Sequence, residues 1–181
     1  MIRLSSRATA LFLLCYFAFA NGLKAQKIHF RNYTVADGLC SNTIWDVEQD
    51  EQGYMWFGTK YGLNRFDGYQ FKSYQHHKDD PESIGNNFIR KIFKYDARTF
   101  WIGTDAGIYI FNLETQKFRL FEPLGRIFIN DIARMGNGDI WIATKEKGAY
   151  RYRHQSPKLQ QFTSSSSSFP RLSSNEISII V

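Results

Sequence analysis

Residues 56–59 read Trp-Phe-Gly-Thr; the stretch returns as Trp101-Ile102-Gly103-Thr104 and again as Trp141-Ile142-Ala143-Thr144. The spacings of 45 and 40 residues lie in the range where a repeat means one supersecondary unit stacked on copies of itself. Agreement spreads outward from each Trp. Twelve positions before it stands Ile44, Ile89 or Ile129, and nine before it Val47, Ile92 or Ile132. Fourteen before it, Asn42 and Asn87 agree while Ile127 departs. A glycine follows the Thr (Gly62, Gly107 and, one residue later, Gly148), and an aromatic stands four residues past it: Phe66, Phe111, Tyr152. Each copy closes on Phe71-x-x-Tyr74, Phe118-x-x-Phe121 or Leu159-x-x-Phe162.

Each unit reads as four short strands parted by turn residues, in the first copy 43–49, 54–59, 63–67 and 70–74. Gly53, Gly62 and Asp67-Gly68 mark the turns. Helical periodicity is weak, and aromatic residues make up 17% of the chain, which favours strands. Four antiparallel strands recurring every 40–47 residues predict an all-β fold of β-propeller blades. Blade 1 spans about 42–75, blade 2 about 87–122 and blade 3 about 127–163, with the start of a fourth at 172–181, where Asn175-x-Ile177-x-x-Ile180 restates Asn42-x-Ile44-x-x-Val47. Ahead of them, Phe30-x-x-Tyr33 predicts an outer closing strand over 28–34. Three blades and a fraction do not close a ring of four to eight, so the sequence reads as a fragment of a propeller. In the Trp-x-Gly-Thr strand, Trp56 and Gly58 share one face. The glycine leaves room for a large side chain from the next blade. Trp56, Gly58, Thr59, Trp101, Gly103, Thr104, Trp141 and Thr144 are therefore read as packing residues, not as ligand platforms.

The first residues form an address. Arg3 and Arg7 precede the apolar run Ala8 to Ala20, and small residues offer cleavage after Ala25 or, alternatively, Ala20. Residues 1–25 are thus expected to be a signal peptide. The whole chain carries a net +6, but loss of Arg3, Arg7 and Lys24 leaves 20 basic and 17 acidic residues. A balance of +3 without a basic stripe excludes a nucleic-acid reader. Cys40 then stands alone, without a CxxC or zinc pattern.

The combination Gly38-Leu39-x-Ser41-Asn42-x-Ile44, Asp50-x-x-Gly53-x-x-Trp56-x-Gly58-Thr59, Gly62-Leu63-x-Arg65-Phe66 and Phe71-x-x-Tyr74 resembles the two-component regulator propeller repeat. That repeat stands at the N-terminus of hybrid two-component sensor histidine kinases of the Bacteroides type, and the resemblance covers about 28–181. Asp50 and Gly53 lack counterparts near Trp101, and Ala143 replaces the glycine. The resemblance implies a periplasmic sensor domain followed by a membrane helix, a kinase core and a receiver. Such a protein senses oligosaccharides and switches on polysaccharide-utilisation genes. It also implies as partners an oligosaccharide, the remaining blades and kinase portion, and a second copy in the full-length form. A secreted stand-alone propeller acting as a binding or scaffold protein is the alternative.

Ligand candidates are the inner-strand positions that the repeat does not prescribe, Trp45, Asp46, Arg90, Lys91, Asn130 and Asp131, and the turn residues Lys60, Tyr61 and Asp105. Amide, carboxylate, cation and aromatic groups suit a sugar, which needs hydroxyl partners and a flat apolar platform. Asn42, Asn87 and Asn175 recur in copy after copy and are read as turn caps. His76, His77, Asp79 and Asp80 fall in a loop between blades, so no metal site is assigned to them. Glu51-x-Gly53-x-x-Trp56 only faintly matches a sialidase Asp-box. Paired catalytic carboxylates, a nucleophile elbow and a P-loop are all missing, so neither catalysis nor a cofactor is expected of this chain.

Overall fold

Runs of β-branched and aromatic residues between glycine turns become strands in the computed structural model, which describes residues 29–153, 156–165 and 171–180. Twelve strands form three antiparallel four-stranded sheets, each ordered from inner to outer strand. The first holds β1 (Ile44–Gln49), β2 (Met55–Thr59), β3 (Gly62–Phe66) and β4 (Phe71–Tyr74). The second holds β5 (Ile89–Asp96), β6 (Thr99–Thr104), β7 (Gly107–Asn112) and β8 (Lys117–Leu120). The third holds β9 (Ile129–Arg134), β10 (Ile140–Thr144), β11 (Ala149–Arg153) and β12 (Ser156–Phe162). The described residues contain no α-helix. These are propeller blades, joined through their innermost strands, with β5 packed between β1 and β9.

Two apolar cores fill the seams. Trp56, Ile89, Ile92, Phe100 and Phe111 lie between the first and second sheets, and Trp101, Phe121, Ile129, Ile132 and Ile140 between the second and third. Repeat chemistry accounts for the fit. A Cβ at Gly58 would stand 2.8 Å from Ile89 Cγ2, and one at Gly103 would stand 2.9 Å from Ile129 Cγ2. Each glycine is therefore the notch that receives the next blade's inner-strand isoleucine. The Thr of the motif closes the following turn. Thr59, Thr104 and Thr144 donate through Oγ1 to the carbonyls of Gly62, Gly107 and Gly148, at 2.8, 2.9 and 2.6 Å. Those glycines have φ of +141°, +113° and +74°, which side-chain-bearing residues rarely adopt. The recurrent asparagines tie down the incoming chain ahead of β1, β5 and residues 176–180: Asn42, Asn87 and Asn175 accept the backbone N–H of Val35, His76 and Ser164.

Residues 1–25 lie outside the described residues. The outer strand expected at 28–34 is not a strand over its described part, 29–34. A strand exists only by pairing, and each sheet here already ends on an outer strand of its own, β4, β8 or β12. Tyr33 instead packs on Phe66 and Phe71. Residues 172–180 likewise form no strand, although they follow the course of one. Ile177 N–H donates to the Thr144 carbonyl at 3.0 Å and Ile180 N–H to Asp131 Oδ2 at 2.9 Å. The latter repeats the Ile92 N–H to Asp46 Oδ2 bond at 2.7 Å between blades 1 and 2.

Candidate ligand-binding site

Every inner strand is irregular at one equivalent point. Ile44 pairs with Thr59 and Asp46 with Gly58, which leaves Trp45 as an extra residue. The same slip leaves Arg90 between the Ile89–Thr104 and Lys91–Gly103 pairs, and Asn130 between the Ile129–Thr144 and Asp131–Ala143 pairs. A bulge inserts an unpaired residue and re-aims its side chain. In each blade the bulged residue and its successor line one shared cleft. The pairs are Trp45 and Asp46, Arg90 and Lys91, Asn130 and Asp131. Phe128, Lys145, Glu176 and Ser178 complete the walls of this cleft, whose volume is about 680 Å³.

The lining carries three cations, Arg90, Lys91 and Lys145, and three carboxylates, Asp46, Asp131 and Glu176. Lys91 Nζ lies 3.6 Å from an Asp46 carboxylate oxygen and 3.5 Å from one of Asp131, bridging three blades. Asp131 is buried, and its Oδ2 holds the Ile180 amide. Burial pushes the Asp46 carboxyl above its ordinary value, and the Ile92 N–H and the Lys91 ammonium oppose that shift. Arg90 donates through Nε to Asp105 Oδ1 at 2.5 Å. Its guanidinium stands 4.9, 4.4 and 4.2 Å from the ring centres of Trp45, Phe88 and Phe128. Trp45 is 50% exposed and offers a flat apolar surface at the rim.

Six of the nine ligand candidates therefore meet in one cleft, and Asp105 supports it through Arg90. Lys60 and Tyr61 do not join them. Lys60 lies over the Tyr61 ring, and the Tyr61 carbonyl accepts from Gln75 Nε2. His76 Nδ1 stands 2.9 Å from the Ile84 carbonyl within its loop. Among the described residues no group of three His, Cys, Asp or Glu is arranged to hold a metal.

Comparison with known proteins agrees with this architecture. Residues 38–61, which include β1 and β2, match the family model described as two component regulator propeller. This segment is similar to a two-component regulator propeller repeat. Over 81 residues the chain is 42% identical to Histidine kinase P4 of Formosa agariphila, a match that covers 43% of the chain and 6% of that protein. The extracellular domain of the hybrid two component system BT3049 from B. thetaiotaomicron superposes with a TM-score of 0.71 at 26% identity, over 82% of this chain and 22% of that one. The extracellular domain of BT4673 from the same organism gives 0.63 at 25% identity, over 78% and 19%. The chain thus resembles extracellular sensor domains and spans about a fifth of their length. No helix among the described residues is long and apolar enough to cross a membrane.

The wall residues absent from the sequence-based candidates also hold equivalent positions in the repeats. Lys145 follows Thr144 as Lys60 follows Thr59 and Asp105 follows Thr104; Gly148, delayed by one residue, obscures the match. Phe128 and Glu176 each precede the repeat isoleucine, as Phe88 does in the second blade.

Proposed function

We propose that this chain is a sector of the ligand-sensing propeller of a longer hybrid two-component histidine kinase, exported to the periplasm with residues 1–25 as its signal peptide. Its ligand is an oligosaccharide, and the signal leads to transcription of polysaccharide-utilisation genes. The convergence of Trp45, Arg90 and Asn130 supports this reading. Three blades place a bulge at one equivalent point, and the side chains released there share a cleft. Packing alone asks for no such agreement, because the seams are filled by the neighbouring isoleucines.

The remaining blades are the other partners in this reading. Ile44 and Val47 are 38% and 45% exposed, whereas their equivalents Ile89, Ile92, Ile129 and Ile132 are at most 1% exposed. Equivalent residues of one repeat differ this way when one blade lacks a neighbour on that side. The signalling step itself belongs to the kinase portion of the full-length protein.

A binding measurement tests the site. Calorimetric titration of the full-length extracellular region with oligosaccharides from polysaccharide digests is expected to reveal a binder. Trp45→Ala is expected to weaken it at least tenfold, a loss of about 1.4 kcal/mol or more, with the fold intact because Trp45 is half exposed. Unchanged affinity in that variant would remove the cleft from the account.

A further inference from the structure

We infer that the inner-strand cleft selects uncharged oligosaccharides and rejects those bearing uronate or sulfate groups; this deepens, and rests on, the oligosaccharide reading of that cleft. Sensing as such leaves the ligand's charge open. The arrangement of the cleft's own charges decides it.

Three cations reach the cleft, and two are already engaged. Lys91 is shared by Asp46 and Asp131 at 3.6 and 3.5 Å, so its charge is balanced from both sides. Arg90 is bound to Asp105 at 2.5 Å and covered by the rings of Trp45, Phe88 and Phe128. Rings so placed stabilise the cation and screen it from a ligand. Lys145 lies over Phe128, 5.1 Å from the ring centre, on the wall that also carries Glu176. Against these cations the lining sets three carboxylates, Asp46, Asp131 and Glu176, with Asp105 behind Arg90, so the cleft presents no net positive charge to a ligand. An anionic ligand finds among the described cations of the cleft only Lys145 without a carboxylate partner, on the wall that Glu176 also lines; to reach Arg90 or Lys91 it has to displace Asp105, Asp46 or Asp131, leaving a partly buried carboxylate without its cation. A neutral sugar meets neither obstacle. Its apolar ring face fits the exposed Trp45 indole. Its hydroxyls are matched by Ser178 and by the Asn130 amide, whose Nδ2 is anchored on the Ile177 carbonyl at 2.8 Å.

The test uses the extracellular region of the full-length protein and two sets of hexasaccharides. The neutral set is malto-, xylo-, manno- and laminarihexaose; the anionic set is hexagalacturonate, alginate hexamers and sulfated laminarihexaose. Calorimetry is expected to find the best binder in the neutral set, with every anionic member at least 100-fold weaker. In the Asp105→Asn, Glu176→Gln double variant, which removes two negative charges, the anionic set is expected to gain at least tenfold. An anionic member that binds as tightly as any neutral one overturns the charge selection; if Trp45→Ala abolishes that binding, the cleft remains the sugar site. A best binder that ignores Trp45→Ala, or no binder in either set, overturns the cleft reading and this inference with it.

Discussion

Trp56→Ala is expected to destabilise the 181-residue chain by about 3–5 kcal/mol, the range for truncating a fully buried large aromatic. The Trp56 ring is 1% exposed and packed against Phe100 and Phe111 of the second blade and Tyr74 of its own. Its Nε1–H donates to Asp50 Oδ2 at 2.8 Å, so truncation also orphans a buried carboxylate oxygen. Trp141 occupies the same place in the repeat but is only half-buried, its ring stacked on Phe162 and faced by Arg151. Trp141→Ala is accordingly expected to cost about 1–2 kcal/mol, in proportion to the smaller area it removes from contact. Urea unfolding curves of the two variants separate them. In a longer protein whose completed fourth blade covers Trp141, the gap narrows. Equal losses in the 181-residue chain would mean that the seam does not bury the motif's Trp.

Gly103→Val is expected to cost about 3 kcal/mol, at the upper end of the overpacking range. Even a bare Cβ there would lie 2.9 Å from Ile129 Cγ2 and 3.3 Å from Lys91 Cβ. Neither neighbour has room to retreat. Ile129 is fully buried in the second seam, and Lys91 is tethered by its two carboxylates. Gly136→Val is the matched control, since nothing lies within 4 Å of a Cβ at that position. Its effect should stay within about 0.5 kcal/mol. Thermal or urea unfolding of the two variants reads the difference directly. A tolerated valine at Gly103 would contradict the notch-and-isoleucine account of blade stacking.

The blade plan was legible because one period fixes many positions at once. In the first copy the expected strands 43–49, 54–59, 63–67 and 70–74 correspond to Ile44–Gln49, Met55–Thr59, Gly62–Phe66 and Phe71–Tyr74. The glycine notch was readable from chemistry alone, because a missing side chain beside a Trp must serve a neighbour. The inner-strand candidates were found as the positions left free by the repeat. The bulge that makes them converge was not legible, because Trp45, Arg90 and Asn130 share no residue type. A bulge is a property of pairing, visible only once the partner strand is in place. Phe30-x-x-Tyr33 has the pattern of an outer strand, and none of the three described sheets offers it an edge, because each carries an outer strand of its own. Asn64 also escaped notice. Fully buried, it accepts the Cys40 N–H at 2.9 Å and donates to Ser73 Oγ at 2.8 Å, pinning the chain ahead of β1, and one Asn in a strand gives no hint of such a partner.

The central claim, that these blades are a sector of a larger ring, is tested most directly by thiol labelling at residue 47. Val47→Cys and the reference Tyr69→Cys, both in a Cys15→Ser, Cys40→Ser background, are compared in the 181-residue chain and in the full-length extracellular region. Val47 is 45% exposed and Tyr69 93% exposed in the present structure, so in the 181-residue chain the two thiols should react at rates within about tenfold. In the full-length region a neighbouring blade is predicted to cover residue 47 and slow its labelling roughly 100-fold relative to residue 69. Equally rapid labelling of both thiols there would contradict the account.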